Sequence, residues 1–499
     1  MARAPHGTPK DSDMSFTSAS EVCAALRMRP VKHWIDGRLV DSEVRAEVID
    51  PATARPVATA PRASLAQLDQ AVNAAVAAQV AWKDRPIEDR RTRLLALARV
   101  LRDNRDELGA LITLEQGRPL IKAREEVTRA AHLLEALVSI DIGDDILRDD
   151  ANGRVVMHHA PLGVVGAIAP WNVPIGLAVP KISHALYTGN TLVLKPSPHT
   201  PLATLRLAEL AADLFPAGVL NVLAGDDELG AALCRHPMVA KITLTGSVRT
   251  GRLAMQAASG NLTRLTLELG GNDAAIVRRD ADITRVAPAL FAAAFVNSGQ
   301  VCMAIKRLFV HEDIHDELWD AMSSIVRGVT VGPGFDPTSE LGPVQNERQF
   351  ASVQRVLEES AKCPAARVLS GEQQLPDAGY FVRPTIVAGL REGSPLVDEE
   401  TFGPVLPILS YSDDVEATAR ANATPFGLGA SVWTRDAGVA QDMARRLRAG
   451  TVWINRHVGA DPGVPFGGLK SSGIGCQFGK HGLLDFMESS AIHIPPNPD

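Results

Sequence analysis

Three side chains in this sequence have the chemistry needed to act on a carbonyl group. Cys302 follows a Gly-Gln-Val segment, Glu268 lies between two leucines before a Gly-Gly pair, and Asn172 follows Pro-Trp. A thiolate is a nucleophile, a desolvated carboxylate has the raised pKa of a general base, and a side-chain amide can stabilise an oxyanion. Together these residue types suit covalent catalysis on an acyl carbon.

Each of the three also has an ordinary structural interpretation. A free cysteine is most often a core residue, an asparagine after a strand is typical of a turn, and a carboxylate between leucines can lie exposed at the edge of a sheet. Considered one at a time, the residues leave both interpretations open.

Two further features suit the binding of a phosphorylated cofactor. Lys195 ends an apolar run, and Gly246-Ser247-Val248-Arg249-Thr250-Gly251 separates a predicted strand from a predicted helix. Ligands of α/β proteins bind at the carboxyl edge of the sheet, where glycines let backbone N–H groups approach a phosphate. The sequence has neither a G-x-G-x-x-G fingerprint nor a Walker A motif, so a solvated lysine and a plain turn remain alternatives.

Hydrophobic periodicity predicts the elements that position these residues. Residues 64–140 have the apolar spacing of helices, with Ser64 as a capping residue, and Asn152-Gly153 indicates a hairpin. From Gly163 short apolar runs alternate with helical windows, which is typical of parallel sheets covered by helices. The predicted strands are 164–169, 191–195, 219–223, 241–245, 264–269, 308–310, 367–369, 385–388, 405–410, 430–432, 451–454 and 489–494, and the predicted helices include 202–214 and 249–258.

Composition restricts the class of protein. The 499 residues are 45% hydrophobic and 22% charged, which is enough to build large cores in more than one domain. The net charge of −7 disfavours nucleic acid or an anionic membrane as a partner. Five scattered cysteines without a C-x-x-C pair predict a reducing, cytoplasmic setting and no metal site.

Seven motifs occur in one order along the chain, and together they carry a family resemblance. The sequence resembles the aldehyde dehydrogenase superfamily over residues 30–490. The motifs are Pro170-Trp171-Asn172, Lys195-Pro196-Ser197, Gly246-Ser247 with Gly251, Glu268-Leu269-Gly270-Gly271, Gly299-Gln300-Val301-Cys302, Glu399-Glu400-Thr401-Phe402-Gly403-Pro404 and Pro465-Phe466-Gly467-Gly468-Leu469-Lys470-Ser471-Ser472-Gly473.

The resemblance implies roles that agree with the residue chemistry. Cys302 would attack the aldehyde carbon, the Asn172 side chain and the Cys302 N–H would hold the oxyanion, and Glu268 would activate the water that hydrolyses the thioester. Hydride would pass to NAD or NADP. The implied cofactor residues are Ala169, Pro170, Trp171, Lys195, Ser197, Gly225, Thr245, Gly246, Ser247, Leu269, Gly270, Glu400 and Phe402. The implied substrate pocket is Val173, Leu177, Val301, Met303, Arg456 and His457.

The resemblance also implies the fold and the assembly. We expect an α/β protein with a Rossmann-like cofactor domain, an α/β catalytic domain and a small β element that forms a homodimer or homotetramer. The predicted division is a flexible arm (1–25), an NAD(P)-binding domain (26–142 and 162–272), a catalytic domain (273–476) and the oligomerisation element (143–161 and 477–499).

Three positions depart from the family pattern. Many NAD-preferring members carry a glutamate where Pro198 stands, before His199, so the choice between NAD and NADP stays open. Some members carry a glutamate in a proton relay where Gln477 stands, and an amide cannot relay a proton in that way. Asn272 replaces a frequent lysine, with no consequence that the sequence defines.

Other functions remain as alternatives. A CoA-acylating dehydrogenase often lacks the general base that Glu268 would supply. A cysteine hydrolase without a cofactor needs a histidine beside the thiol, and His311 is the nearest one in sequence. A catalytically silent member of the fold is disfavoured by the intact Cys302, Glu268 and Asn172. For the substrate, the apolar pocket residues favour aliphatic or aromatic aldehydes over a semialdehyde, whose carboxylate Arg456 and His457 could pair with.

Overall fold

The structure is a computed structural model and describes residues 16–496 of the chain. Its helices α1 to α16 are, in chain order, Ala19–Met28, Leu65–Trp82, Ile87–Asp103, Arg105–Gln116, Leu120–Leu137, Pro174–Tyr187, Leu202–Leu210, Asp227–Arg235, Val248–Ala258, Ile283–Phe295, His315–Gly328, Glu347–Ala361, Pro395–Asp398, Asp414–Asn422, Ala437–Arg446 and Gly479–Leu484. Its strands β1 to β20 are His33–Ile35, Arg38–Val40, Arg45–Asp50, Arg55–Pro61, Asp145–Asp150, Gly153–Pro161, Val164–Ile168, Thr191–Lys195, Leu220–Val222, Lys241–Thr245, Arg264–Glu268, Asp273–Val277, Ile305–His311, Arg367–Ser370, Thr385–Ala388, Val405–Tyr411, Gly429–Trp433, Thr451–Ile454, Gly473–Ile474 and Met487–Ile494.

The first sheet has eight strands in the order β19-β11-β10-β7-β8-β9-β1-β2. Its five central strands are parallel, and β7 pairs with both β8 and β10, so the strand order reverses beside β7. Nearly all residues of β7, β8 and β10 are buried, because helices cover both faces of the sheet. Ligands of such sheets bind at the carboxyl edge next to this reversal.

The second sheet has seven strands in the order β14-β15-β16-β13-β12-β17-β18. All neighbours are parallel except β14, which pairs antiparallel with β15 at one edge. The residues between β11 and β12 carry the chain directly from the first sheet into the second. This short crossing brings the carboxyl edge of the first sheet next to the start of the second.

A third, antiparallel sheet joins two distant parts of the chain. The hairpin strands β5 and β6 pair with each other, and β20, from the end of the described chain, pairs with β6 over eight residues. Most side chains of β5 and β20 are exposed. A separate pair, β3 and β4, packs against the helical region.

The local sequence explains several element boundaries. Ser64 caps α2 by accepting a hydrogen bond from the Gln67 N–H, as its position predicts, and the Gln67 side chain bonds back to Ser64. The hairpin at Asn152-Gly153 and the predicted strands of both α/β units are confirmed. Most strand ends agree with the prediction to within one or two residues.

Three predictions differ from the structure. The predicted helix 202–214 ends at Leu210, and turns follow it. Strand β12 was not predicted, because it begins at a buried aspartate directly after a glycine turn. The arm predicted to reach residue 25 contains α1, which Ser18 and Glu21 cap and whose Val22 is buried, while residues 1–15 lie outside the described residues.

Across residues 16–496, the helices are all too short or too polar to cross a bilayer.

Candidate active site

The three predicted catalytic residues come from three different elements and meet between the first two sheets. Asn172 lies in the loop between β7 and α6, Glu268 is the last residue of β11, and Cys302 lies just before β13 of the second sheet. The Asn172 Nδ2 donates to the Gln300 carbonyl at 2.8 Å, and the Glu268 carboxylate acts electrostatically on the Cys302 thiol. The structure therefore brings all three together.

The Cys302 thiol is half-buried and surrounded by acidic groups. Burial raises its pKa to about 12, with further increases from Glu268, Glu400 and Asp273, while the Lys306 ammonium lowers it. Its backbone N–H has no acceptor among the described residues. The thiol therefore needs a base to ionise it, and the free N–H is available to an oxyanion.

A strained turn presents Cys302. Asn297 and Ser298 have positive φ angles of 52° and 55°, and Gly299 follows with φ 74°. A side chain at Gly299 would collide with the Gly403 carbonyl, so a glycine is required there. Left-handed backbone at non-glycine residues is costly and is typical of functional sites.

Glu268 is almost completely buried, with 4% of its surface exposed. Burial raises the pKa of this carboxyl group to about 7, and the buried Lys181 ammonium opposes the rise. The Lys181 Nζ donates to the hydroxyls of Thr245 at 2.9 Å and Thr243 at 3.3 Å, and the Glu268 Oε1 has no partner among the described residues. A buried carboxylate with a free oxygen and a pKa near neutrality has the properties of a general base.

The loop that carries Asn172 is held by a buried ion pair. The Arg118 Nη1 lies 2.5 Å from the Glu126 Oε2, and the Arg118 Nη2 donates to the Asn172 carbonyl at 2.8 Å. The Glu126 Oε1 accepts from the N–H groups of Ile175 and Gly176, both at 2.9 Å, in the first turn of α6. The loop that carries the Asn172 side chain is thus held at the Asn172 carbonyl and at the start of α6.

The predicted cofactor residues line the carboxyl edge of the first sheet. Ala169 follows β7, Lys195 ends β8, Gly225 precedes α8, Thr245 and Gly246 follow one another at the end of β10, and Leu269 and Gly270 follow β11. Ser197 lies just beyond β8, and its hydroxyl accepts from the His199 N–H. Ser247 caps α9 through the Thr250 N–H, which leaves the Gly246-Ser247 backbone at the positive end of that helix.

The Lys195 ammonium is the clearest sign that this edge accepts a polar ligand. Lys195 is 5% exposed, and among the described residues its Nζ reaches only the Pro196 carbonyl, at 3.5 Å. Burial lowers the pKa of this amine to about 8, and the carboxylates of Asp227 and Asp226 oppose that effect. A buried ammonium with almost no protein partner fits a ligand that supplies oxygens, such as a ribose.

The second half of the cofactor site lies beside the crossing between the sheets. The Glu400 Oε1 accepts from the Gly271 N–H at 3.1 Å, and a side chain at Gly270 would collide with the Glu400 carboxylate. The rings of Phe402 and Trp171, which follows Pro170, meet edge to face at 5.4 Å. Burial raises the pKa of the Glu400 carboxyl group to about 7.

Comparison with known proteins settles the family. A model described as "Aldehyde dehydrogenase family" matches residues 39–492 of the chain. The chain belongs to the aldehyde dehydrogenase family. It is an NAD(P)-dependent enzyme that oxidises an aldehyde, and the predicted fold class is confirmed by solved structures of the family.

Individual relatives match over almost the whole chain. A phenylacetaldehyde dehydrogenase of Pseudomonas fluorescens is 38% identical over 498 residues, covering 96% of this chain and 99% of the relative. The structure of a betaine aldehyde dehydrogenase from Staphylococcus aureus in complex with NAD+ superposes with a TM-score of 0.91 at 30% identity, covering 96% and 98% of the two chains. A lactaldehyde dehydrogenase from Escherichia coli gives 0.89 at 31% identity, covering 93% and 99%.

The predicted pocket residues of this aldehyde dehydrogenase divide into two groups. Val173, Leu177, Val301 and Met303 are half-buried, and they lie next to Asn172 and Cys302 in the chain or one helical turn away. Arg456 is exposed, while His457 is enclosed by protein: its Nδ1 contacts the Ser431 hydroxyl at 2.8 Å and its Nε2 the Met303 carbonyl at 3.1 Å. Because both ring nitrogens already have partners, the His457 side chain is not free to pair with a substrate carboxylate.

Four charged residues that contact the catalytic candidates or their loops were not identified from the sequence: Arg118, Glu126, Lys181 and Lys306. All four are buried charges. Lys181 and Glu126 sit within apolar helical spacing, which is a detectable signal because charged residues are seldom buried without a partner. Arg118 and Lys306 have no such signal, since a Gly-Arg-Pro segment and a strand start are ordinary positions for an exposed cation.

Gln477 is a buried residue just before α16, in the C-terminal part of the chain. Only 2% of it is exposed, and neither its Oε1 nor its Nε2 has a partner among the described residues. The departure at 477 therefore places an unsatisfied amide where a titratable carboxylate could have stood. Asn272 is likewise buried, and its Nδ2 donates to the Val397 carbonyl at 2.9 Å, which gives this departure a structural use.

Proposed function

We propose that the enzyme oxidises aldehydes hydrolytically, with Cys302 as nucleophile, Glu268 as general base and Asn172 as oxyanion donor. The observation that carries the proposal is the state of Glu268, which is buried next to the thiol with one oxygen unpartnered and a pKa of about 7. At neutral pH such a group is partly ionised, so it can take a proton from the thiol and later from water.

The steps follow from the geometry of the chain's own residues. Glu268 takes the thiol proton, and the thiolate bonds to the aldehyde carbon, whose oxygen becomes an oxyanion held by the Asn172 amide and the Cys302 N–H. A bound NAD or NADP would supply the hydride acceptor for that carbon, and the product held by the chain is a thioester on Cys302. Glu268 releases the thiol proton to solvent and then takes a proton from water, the hydroxide adds to the thioester, and the thiolate leaves as the acid forms.

The cofactor residues support binding of NAD or NADP at the edge described above. We assign the adenosine ribose to Lys195, the pyrophosphate to the Gly246-Ser247 backbone and the nicotinamide ribose to Glu400. Pro198 and His199 are both exposed after β8, and neither supplies a carboxylate to repel a 2′-phosphate. The assignment therefore keeps both cofactors as candidates.

For the substrate we propose an apolar aliphatic or aromatic aldehyde. The half-buried pocket residues are Val173, Leu177, Val301 and Met303, and the histidine that could have paired with a carboxylate is already engaged. The similarity to a phenylacetaldehyde dehydrogenase points to the same class. A panel containing phenylacetaldehyde, hexanal and succinic semialdehyde, assayed with NAD+ and NADP+, tests this; a preference for the semialdehyde would contradict it.

We further propose a homodimer or homotetramer built through the third sheet, and a cytoplasmic location. Both outer strands of that sheet have exposed edges, and Ile146 and Leu147 of β5 are more than half exposed. All five cysteines are unpaired, which suits a reducing compartment. The proposal keeps the domain division predicted from the sequence. One strand is an exception: β19 lies in the residue range of the catalytic domain, but it pairs with β11 of the cofactor domain.

The proposal is tested with Glu268→Gln in the full-length enzyme. The amide cannot take a proton from water, so we expect one equivalent of reduced cofactor per active site, followed by a slow steady state. Intact-protein mass spectrometry should show the acyl adduct on Cys302. Glu47→Gln, an exposed carboxylate on β3, is the matched control and should turn over normally.

Two outcomes would contradict the hydrolytic mechanism. Normal turnover by Glu268→Gln would show that another group activates water. Strong acceleration of the unmodified enzyme by CoA, with an acyl-CoA product, would favour the acylating alternative. Against a cofactor-independent cysteine hydrolase, His311 lies at the far end of β13 from Cys302 and faces Tyr411.

A further inference from the structure

Lys306 is a buried cation close to the nucleophile that the reaction described above does not use. It is the second residue of β13, follows Cys302 by four residues and is 3% exposed. A lysine is rarely buried to this extent without a partner, because desolvation of an ammonium is costly. Its contacts therefore indicate what stabilises it.

All the contacts of the Lys306 ammonium lie in the segment around the active site. The Nζ donates to the Gly299 carbonyl at 2.5 Å and to the Val301 carbonyl at 3.1 Å, so it bonds to the turn just before Cys302. The Nζ also lies 5.2 Å from the centre of the Phe402 ring, within the range of a cation–π interaction. Lys306 thus links the nucleophile's turn to the wall of the cofactor site.

These hydrogen bonds help to fix the direction of the Cys302 N–H. In a trans peptide the carbonyl of Val301 and the N–H of Cys302 point in opposite directions from one plane. The Val301 carbonyl accepts from the Lys306 ammonium and from the Ala304 N–H, both at 3.1 Å. The ammonium thus adds a second restraint that keeps the Cys302 N–H on the opposite side, where it has no acceptor among residues 16–496. The preceding residues Asn297 and Ser298 are left-handed, so a turn of this kind needs such a constraint to persist.

The same ammonium balances the charges around the thiol. Glu268 faces Cys302 from β11, Glu400 from the loop before Phe402, and Asp273 from the start of β12. Among the other groups near these carboxylates, the His457 Nε2 lies 3.6 Å from the Asp273 Oδ2, the Arg307 guanidinium bonds to the carbonyls of Asn272 and Ala421, and Lys181 acts on Glu268. Lys306 is the cation that lowers the pKa of the Cys302 thiol.

We propose that Lys306 is a positioning residue that stabilises the Cys302 thiolate and turns the Cys302 N–H toward the oxyanion. The inference rests on the proposed role of Cys302 as nucleophile. Lys306 acts on Cys302 in two ways. Its charge acts on the thiolate through space, and its two hydrogen bonds act on the N–H through the backbone.

The test measures the ionisation of the thiol directly. The full-length enzyme without cofactor is alkylated with iodoacetamide between pH 6 and pH 7.5, and peptide mass spectrometry follows the rate at which Cys302 is modified. Burial lowers the pKa of the Lys306 amine to about 8, so this amine is mostly charged over that range. The thiol is far below its own pKa there, so the rate is proportional to the thiolate fraction, and for Lys306→Met we expect the rate to fall by about tenfold because the thiolate loses a nearby cation. Hydride transfer in a single turnover at pH 7.5 should slow by about tenfold.

Two further variants separate charge from hydrogen bonding. Lys306→Arg keeps the charge and the donors, so its alkylation rate should stay near that of the unmodified enzyme. Lys306→Gln keeps a donor without the charge, so its alkylation rate should fall like that of Lys306→Met, and it serves as the test if the methionine variant does not fold. Cofactor binding, followed by fluorescence, reports whether each variant is folded.

The matched control is Lys470→Met. The Lys470 Nζ also donates to two backbone carbonyls, those of Asn422 and Thr424 at 2.9 and 3.1 Å, in a different part of the fold. The alkylation rate of Lys470→Met should match that of the unmodified enzyme. Folded Lys306→Met and Lys306→Gln enzymes with an unchanged alkylation rate would overturn the proposal, and because alkylation needs neither Glu268 nor deacylation, that result would not depend on the hydrolytic mechanism.

Discussion

Asn172 acts in the structure through two different groups. Its side-chain amide reaches the segment of the nucleophile, and its backbone carbonyl accepts hydrogen bonds from Arg118 and from the Asn297 Nδ2, at 2.8 and 3.0 Å. A residue of a plain turn would need only the contacts of the backbone carbonyl. The contact of the side-chain amide is the one that suits an oxyanion donor.

We expect Asn172→Ala to lower the rate of hydride transfer by roughly 10²–10³, which is the usual cost of removing one oxyanion donor. The backbone contacts remain, so the fold should be retained. Stopped-flow absorbance of the reduced cofactor in a single turnover is the measurement. Asn261→Ala removes an exposed amide that bonds the Arg235 carbonyl and should leave the rate unchanged. An unchanged rate in Asn172→Ala would assign this residue to the turn alone.

The candidate site could be predicted from the sequence where chemistry depends on residue type and order. Cys302, Glu268 and Asn172 were proposed in that way, and the structure brings them together. Buried charges such as Arg118 could not be predicted, because the burial of Arg118 depends on contacts with segments far away in the chain, among them the loop of Asn172. His457 shows the converse limit, since its type suggested substrate binding while both of its ring nitrogens bond within the protein.

At the scale of elements, α5 and α6 are joined by the pair of Arg118 and Glu126. The guanidinium lies just before α5, the carboxylate lies within it, and the first turn of α6 donates two N–H groups to that carboxylate. Burial raises the pKa of the Glu126 carboxyl group, and Arg118 opposes the rise. The entry of the chain into α6, directly after Asn172, therefore depends on a charge from a neighbouring helix.

Glu126→Gln should destabilise the protein by about 3 kcal/mol, because it leaves Arg118 buried without a counter-charge. It should also lower kcat more than it raises KM, since Asn172 loses part of its support. Urea unfolding and steady-state kinetics measure the two effects. Glu135→Gln on the same helix removes a half-exposed partner of Arg102 and should cost less than about 1 kcal/mol. Equal losses in both variants would contradict a special role for the buried pair.

Element boundaries were predictable where local sequence determines them. The Ser64 cap, the Asn152-Gly153 hairpin and the apolar strands depend on neighbouring residues, and each was confirmed. Strand β12 depends on its place between β13 and β17, whose pairing buries it on both sides. A periodicity that is read along the chain contains no information on such neighbours.

At the scale of the molecule, the third sheet presents two open edges with apolar side chains. Ile146 and Leu147 on β5 are 56% and 58% exposed, and Ile492 and Ile494 on β20 are each 45% exposed. Exposed apolar edges are pairing surfaces, and proteins that use them form oligomers.

Leu147→Lys combined with Ile492→Lys should reduce the oligomer to monomers, because buried charges at an edge oppose pairing. Analytical ultracentrifugation at micromolar concentration is the measurement. Leu262→Lys, at a residue that is 89% exposed on the first α/β unit, is the control and should keep the assembly. A monomeric unmodified enzyme would contradict the proposal at the outset.

The edge strand β19 has a consequence for the synthesis of the protein. Its two residues pair antiparallel with Leu267 and Glu268 of β11, and the Ser472 carbonyl accepts from the Leu269 N–H. On the ribosome, β11 emerges long before residues 473–474, so it remains an open edge that any nascent or neighbouring strand can pair with. The strand that carries Glu268, the proposed general base, is therefore completed among the last parts of the sheet, and we expect chaperones to bind its open edge during that interval.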